Sequence, residues 1–339
     1  MVTVIMPTYN TEENFLRQSI ESILNQTYRD IEFIIINDGG KKDEKIIKEY
    51  KDKRIKVINH ENNKGLPKSL NEGIELARGQ YIARMDSDDI AKKDRIETQV
   101  KYMEKNKHID ICGMFAKKIG DNNNYSLTTL YSEEEIKCQL LFRTMLIHPT
   151  VMFRTDFLRK YNLNYNEDFK YAQDFEMWSR CSEKCNITII PRVGLYLRIH
   201  EKQISTEKKG EQDKYYLRTL QNNINRMNCY ANNEKLLCSL KILSEKEELT
   251  NENCVSVVES INELLSSNNN YYENLILKKV LINTFFNVFI KKCRTNIIML
   301  KLLNNKTIRK NILNFNNLIL LAKRVILILK VSLIEKVKK

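Results

Sequence analysis

The stretch LPKSLNEGIELARGQYIARMDSDD, Leu66–Asp89, contains a helical run, a short apolar run and then three acids in four residues. The first part reads as a helix and QYIARMD as a strand, so the acids Asp86, Asp88 and Asp89 fall where a strand ends. Carboxylates this crowded repel one another unless positive charge sits among them. They form either a solvated turn or a holder for a metal ion.

Working outward, VTVIMP and IEFIIIND are β-branched runs ending in Pro or Asn-Asp-Gly. Between them ENFLRQSIESILNQTY carries Phe15, Ile20, Ile23 and Leu24 at helical spacing. IKVINH adds a strand before the helix that starts at Leu66. Strands alternating with helices predict an α/β fold with a mostly parallel, Rossmann-like central sheet covered on both faces. Such sheets bind ligands at the carboxyl ends of their strands. Three polar ends are therefore candidates: Pro7 to Asn10, Asn37 to Gly39, and Asp86 to Asp89.

The 339 residues are enough for more than one domain. All nine glycines lie at or before Gly210 and all four prolines at or before Pro191. The expected division is therefore 1–206, the α/β domain, and 207–339, an all-helical, basic C-terminal region. From Lys278 to Lys339 there are fifteen Lys and Arg against the single acid Glu335, a balance of +14 in a chain whose net charge is +13. That suits an anionic surface. Within residues 311–339 Lys323 and Lys330 share a helical face while Leu, Ile and Val cover most of the rest. Two readings stay open: an amphipathic helix lying on an acidic membrane surface, or a core helix with a basic solvent face. The apolar runs are too short to span a bilayer, which takes roughly 20 residues.

MVTVIMPTYN lacks the features of a secretory signal, so the chain is expected in the cytoplasm, peripheral on the inner face of the cell membrane. The eight cysteines include no C-x-x-C pair and are expected to be reduced core residues. Neither G-x-G-x-x-G nor G-x-x-x-x-G-K-[ST] occurs, which argues against a dehydrogenase or a P-loop NTPase. A divalent cation at the Asp86–Asp89 cluster is the simplest substitute for handling phosphates, because magnesium and manganese prefer oxygen ligands.

Taken in order, VIMPTYN, NDGG, NNKGLPKSLNEGIELARGQYIARMDSDD, HPTVMFR, QDFEMWSR and LRIHEKQIS resemble a family 2 glycosyltransferase of the GT-A fold over roughly residues 1 to 206. The version ARMDSDDIA with HPTVMFR is similar to bacterial enzymes that build lipooligosaccharide, capsule or O-antigen chains. The resemblance implies a metal-dependent, inverting hexosyltransferase with a UDP-sugar donor, the sugar galactose, N-acetylgalactosamine or N-acetylglucosamine, and a glycan or lipid-linked acceptor.

Carried over residue by residue, the resemblance puts Pro7, Thr8 and Tyr9 at the nucleotide, with the Tyr9 ring against uracil. Asp38 would accept the uracil N3 proton, which cytosine lacks; its bland alternative is a turn residue before Gly39 and Gly40. The family's usual Asp-Asp-Gly-Ser is here Asn37, Asp38, Gly39, Gly40, so the second acid is kept. Asp86 and Asp88 match the Asp-x-Asp metal motif, Asp88 as the direct manganese or magnesium ligand and Asp86 nearer the ribose or metal waters. Asp89 is a further ligand or only a loop or helix-cap acid. His200 matches a position that reaches the diphosphate or metal from the other side. Asp174 aligns with the catalytic base; its bland alternative is a helix cap. Trp178 lies on the same helix face and forms an acceptor platform or merely core. His148 contacts the acceptor or belongs to a loop, and Lys68 approaches a phosphate or is an ordinary surface lysine.

A sugar-phosphate nucleotidyltransferase would carry a Gly-rich basic loop after its first strand, which MPTYNTEEN lacks. A nucleic-acid-binding protein would interleave aromatics with the basic residues, and after Phe289 only Phe315 does so; no nucleic acid partner is expected.

Overall fold

The computed structural model describes residues 1–120, 126–127, 131–200, 208–227, 233–250 and 252–292. Residues 311–339, the expected surface helix, lie outside the described residues. Two compact units result, Met1–Thr219 and Leu220–Lys339.

In the first unit the order is β1 (Val2–Thr8), α1 (Glu13–Leu24), β2 (Ile31–Asn37), α2 (Lys41–Glu49), β3 (Ile55–Asn59), α3 (Leu66–Leu76), β4 (Tyr81–Arg84), β5 (Ile90–Ala91), α4 (Arg95–Lys105), β6 (Ile111–Ile119), β7 (Ser126–Leu127), α5 (Glu133–Gln139), a 3-10 turn (His148–Thr150), β8 (Met152–Arg154), α6 (Thr155–Lys160), α7 (Gln173–Cys181) and β9 (Ile187–Arg198). Among the described residues these strands form one sheet in the order β3-β2-β1-β4-β8-β6-β9-β5, with β7 on β6. β3, β2, β1 and β4 are mutually parallel, Val2 opposing Ile31 on one side and Tyr81 on the other. The far half is mixed, because β8 runs antiparallel to both β4 and β6.

Alternation along β1 and β2 divides the core. Val4, Met6, Phe33 and Ile35 face Leu16, Ile20 and Ile23 of α1 and Ile46 and Ile47 of α2. Ile5, Ile34 and Ile36 face Leu70 of α3, with Phe157 of α6 and Met177 of α7 in the same layer. Strands buried on both faces are continuous apolar runs for this reason. Cys112 and Cys181 lie in these layers as thiols.

Gly73 sets the approach of α3 to the sheet: a Cβ there would lie 2.5 Å from Ile5 Cγ2. Gly73→Ala is therefore expected to destabilise the fold by about 1–3 kcal/mol, the range for overpacking a core. Urea denaturation checks this, and an unchanged midpoint contradicts it.

After β9, α8 (Lys209–Arg226) contributes its first part to the first unit, where Tyr216 stacks on Phe175 at 5.0 Å and donates to the Phe142 carbonyl. The second unit continues with α9 (Asn233–Leu243), α10 (Cys254–Ser266) and α11 (Asn274–Lys292). Leu236, Leu240, Val257, Ile261, Leu277 and Leu281 are buried there. Among the described residues no helix is long and apolar enough to cross a membrane.

Candidate active site

The ends of β1, β2 and β4 supply three groups of polar side chains. At the end of β1, Thr8 Oγ1 donates to Asp43 Oδ2 at 2.6 Å, which fixes the turn, and beyond it Asn10 takes a left-handed φ of 52°. Pro7 is buried in the strand, whereas Tyr9 is 52 % exposed and leaves its ring open to a planar partner.

At the end of β2, Asp38 is buried and heavily bonded. Its Oδ1 accepts from Lys64 N at 2.8 Å and lies 2.6 Å from His60 Nδ1, while Oδ2 accepts from Gly65 N at 2.9 Å. Asn37, the departure from the family pattern, uses its amide to donate to Asn59 Oδ1 at 3.0 Å across the β2–β3 register. Lys68 is on the surface of α3, its Nζ 3.5 Å from Glu167 Oε1.

The loop after β4 holds the acids. Atoms of Asp86, Asp88 and Asp89 that can bind a metal lie within 4.8 Å of one another. The positive charge that such crowding requires comes from Arg84, 3 % exposed, whose Nη2 pairs with Asp86 Oδ1. Its Nε and Nη1 are buried without hydrogen-bond partners. β9 pairs antiparallel with β5, Ile90 opposing Tyr196, and so returns Arg198 and His200 to the acids. His200 Nε2 lies 3.0 Å from Asp88 Oδ2, and Arg198 Nε donates to the Asp88 carbonyl at 2.8 Å. Asp89 is no solvated cap: it is buried, Oδ1 accepts from Arg198 N at 2.8 Å, and Oδ2 has no partner. Burial pushes the Asp89 carboxyl well above the ordinary range, and the neighbouring acids push it further. Asp86 is raised by burial and by Asp88, with Arg84 pulling the other way.

Asp174 stands in the first turn of α7, after Ala172 in a left-handed conformation with φ 52°. Burial raises its carboxyl, and the amide of Phe175 and the charge of Arg84 oppose the rise. Asp174 in turn raises Asp86, so Arg84 and the two acids share one electrostatic environment. His148 Nε2 lies 2.7 Å from Tyr165 Oη. Burial, then Arg84, hold its ring well below the ordinary histidine range, hence neutral. Trp178 departs from the acceptor-platform expectation: at 0 % exposure it has no open face, and it packs against His148 at 5.7 Å and Phe153 at 5.5 Å.

The family model for glycosyl transferase family 2 matches residues 3–168. An uncharacterized glycosyltransferase of Methanocaldococcus jannaschii is 40 % identical over 226 residues, 64 % of this chain and 77 % of that protein. The chain belongs to glycosyltransferase family 2. The O-antigen biosynthesis glycosyltransferase WbnJ of Escherichia coli is 35 % identical over 218 residues, covering 62 % of this chain and 83 % of WbnJ. The crystal structure of S. aureus TarS 1-349 in complex with UDP superposes with TM-score 0.55 at 17 % identity, over 86 % of this chain and 90 % of that one. At that identity the likeness speaks for the GT-A fold.

In this glycosyltransferase Arg84, Arg198 and His60 join these side chains without a sequence motif that assigns them a role. Arg84 sits inside an apolar strand pattern, and Arg198 is an unremarked residue of LYLR. Their roles depend on strand pairings distant in sequence. An arginine two positions before paired acids, and another two positions before His200 in LRIHEKQIS, are the available signals. The assembled groups offer oxygen and imidazole donors for a cation, an exposed aromatic ring and a buried carboxylate able to take a proton.

Proposed function

We propose that this family 2 glycosyltransferase is metal-dependent and inverting, takes a UDP-sugar, and transfers galactose, N-acetylgalactosamine or N-acetylglucosamine to a hydroxyl of a glycan or lipid-linked acceptor in surface polysaccharide synthesis. The observation that carries it is the cluster after β4, where Asp86, Asp88 and Asp89 present metal-binding atoms within 4.8 Å of one another beside His200 and the buried Arg84. UDP and UDP-GlcNAc complexes of TarS support a uridine nucleotide donor for the fold.

The donor set fits magnesium or manganese: the acids lie close together, Asp89 Oδ2 is an orphaned buried oxygen, and His200 adds a nitrogen beside Asp88. Asp88 and His200 would hold the ion, with Asp86 nearer the ribose; a bound cation supplies positive charge for the departing diphosphate. Tyr9 stacks on the uracil beside Pro7 and Thr8, and Asp38 accepts the N3 proton. Asp174 takes the proton of the acceptor hydroxyl as its oxygen bonds to the anomeric carbon and the bond to UDP breaks. One displacement inverts the centre, so an α-linked donor gives a β-linked product. His148, with Trp178 behind it, faces the acceptor, and Lys68 serves the nucleotide only by leaving Glu167. Residues 1–206 carry this chemistry; the basic residues of 207–339 hold the enzyme against an acidic membrane surface on the cytoplasmic side.

Purified protein incubated with manganese and a panel of UDP-sugars alongside sugars on other nucleotides is expected to hydrolyse one UDP-sugar slowly, to stop with EDTA, and to recover when manganese is restored. Hydrolysis indifferent to EDTA contradicts the metal, and turnover confined to donors of another base contradicts uridine.

A further inference from the structure

His60, directly after β3 and outside every motif that carries the family resemblance, lies between the carboxylates of Asp38 at the end of β2 and Glu72 on α3. Its Nδ1 is 2.6 Å from Asp38 Oδ1 and its Nε2 is 2.6 Å from Glu72 Oε2 on α3. A carboxylate offers only lone pairs, so a proton lies across each contact. The His60 side chain is 2 % exposed, and its amide donates to Asn37 O at 2.9 Å, so the ring cannot drift. Asp38 Oδ1 is thereby filled by two donors, His60 and Lys64 N, whereas Oδ2 has one, Gly65 N, and keeps a direction free.

We infer that His60 is a positioning residue for nucleobase selection: by occupying Oδ1 it fixes the plane of the Asp38 carboxylate and presents Oδ2 to the N3–H of uracil. This rests on the reading of Asp38 as the base-reading acid. Glu72 anchors the far side of the ring, and without His60 the carboxylate is free to turn about its Cβ–Cγ bond or to take up water at Oδ1.

The two ring nitrogens can be tested apart, because Asn retains a donor near Nδ1 and Gln one near Nε2. UDP and CDP binding, each with manganese, is measured by calorimetry on the full chain. His60→Gln, which keeps only the Glu72 contact, is expected to weaken UDP binding about tenfold and to shrink the UDP-over-CDP preference by a similar factor. His60→Asn, which keeps the Asp38 contact, is expected to retain both. A merely structural histidine predicts no such asymmetry. Native affinity and preference in folded His60→Gln overturn the inference, as does equal loss in both variants. Asp38→Asn separates the two levels: if it removes the UDP-over-CDP preference while His60→Gln does not, the inference alone fails; if it leaves the preference intact, the reading of Asp38 fails and the inference with it.

Discussion

Asp174→Asn is expected to lower sugar transfer by about 10²–10⁴-fold, the usual contribution of a positioned general base, while UDP with manganese binds as in the native protein. Asn keeps the shape of the side chain and the start of α7 but cannot take a proton at neutral pH. The pH profile gives a second reading. Burial raises the Asp174 carboxyl above the ordinary aspartate range. A general base works only when charged, so with Asp174 in that role the rate is expected to fall as pH drops through that raised value, with the acid limb above the usual carboxylate position. For stability the sign is opposite: a carboxyl raised on folding weakens the folded state at neutral pH and relieves it as pH falls through the folded value. Asp174→Asn removes that penalty, so the inactive variant melts higher at neutral pH than the native protein. Near-native turnover removes Asp174 from the proton-accepting role, and a lower melting point removes the electrostatic account of its burial.

Asp88→Ala is expected to abolish the dependence of UDP binding on manganese, weakening it at least tenfold when the ion is present and little when it is absent. Asp88 Oδ2 stands 3.0 Å from His200 Nε2, and the Asp88 carbonyl is held by Arg198. Removing the carboxylate would delete the proposed oxygen ligand and leave His200 without its acid, while the Arg198 bond to the main chain keeps the loop in place. Calorimetry with and without manganese separates the effects. An unaltered manganese dependence would assign the ion to other groups.

The parallel half of the sheet was legible because β1, β2 and β4 are buried on both faces and punctuated by Pro7, Asn37-Asp38-Gly39 and Asp86 to Asp89. The acids were legible for the same reason: three carboxylates after an apolar strand demand compensation. The compensating residue was not, since Arg84 looks like one polar position in a strand until its burial is known. The reversal of β8 between β4 and β6 was equally hidden, because Met152–Arg154 is too short for its direction to follow from composition. Trp178 shows the limit of helix-face arguments: it shares a helix stripe with Asp174, yet the layer of Phe153 and Tyr165 closes over its ring. For His60 the local sequence ends in a strand and a loop, and only the fold brings Glu72 and Asp38 to its two nitrogens.

The most direct test of the central claim is a crystal structure of the chain with UDP and manganese. The account predicts the ion on Asp88 and His200, bridged to the diphosphate, with the Asp174 carboxylate facing the vacant sugar side of the β-phosphate. Nucleotide bound away from Asp88, or Asp174 turned from the diphosphate, would contradict it.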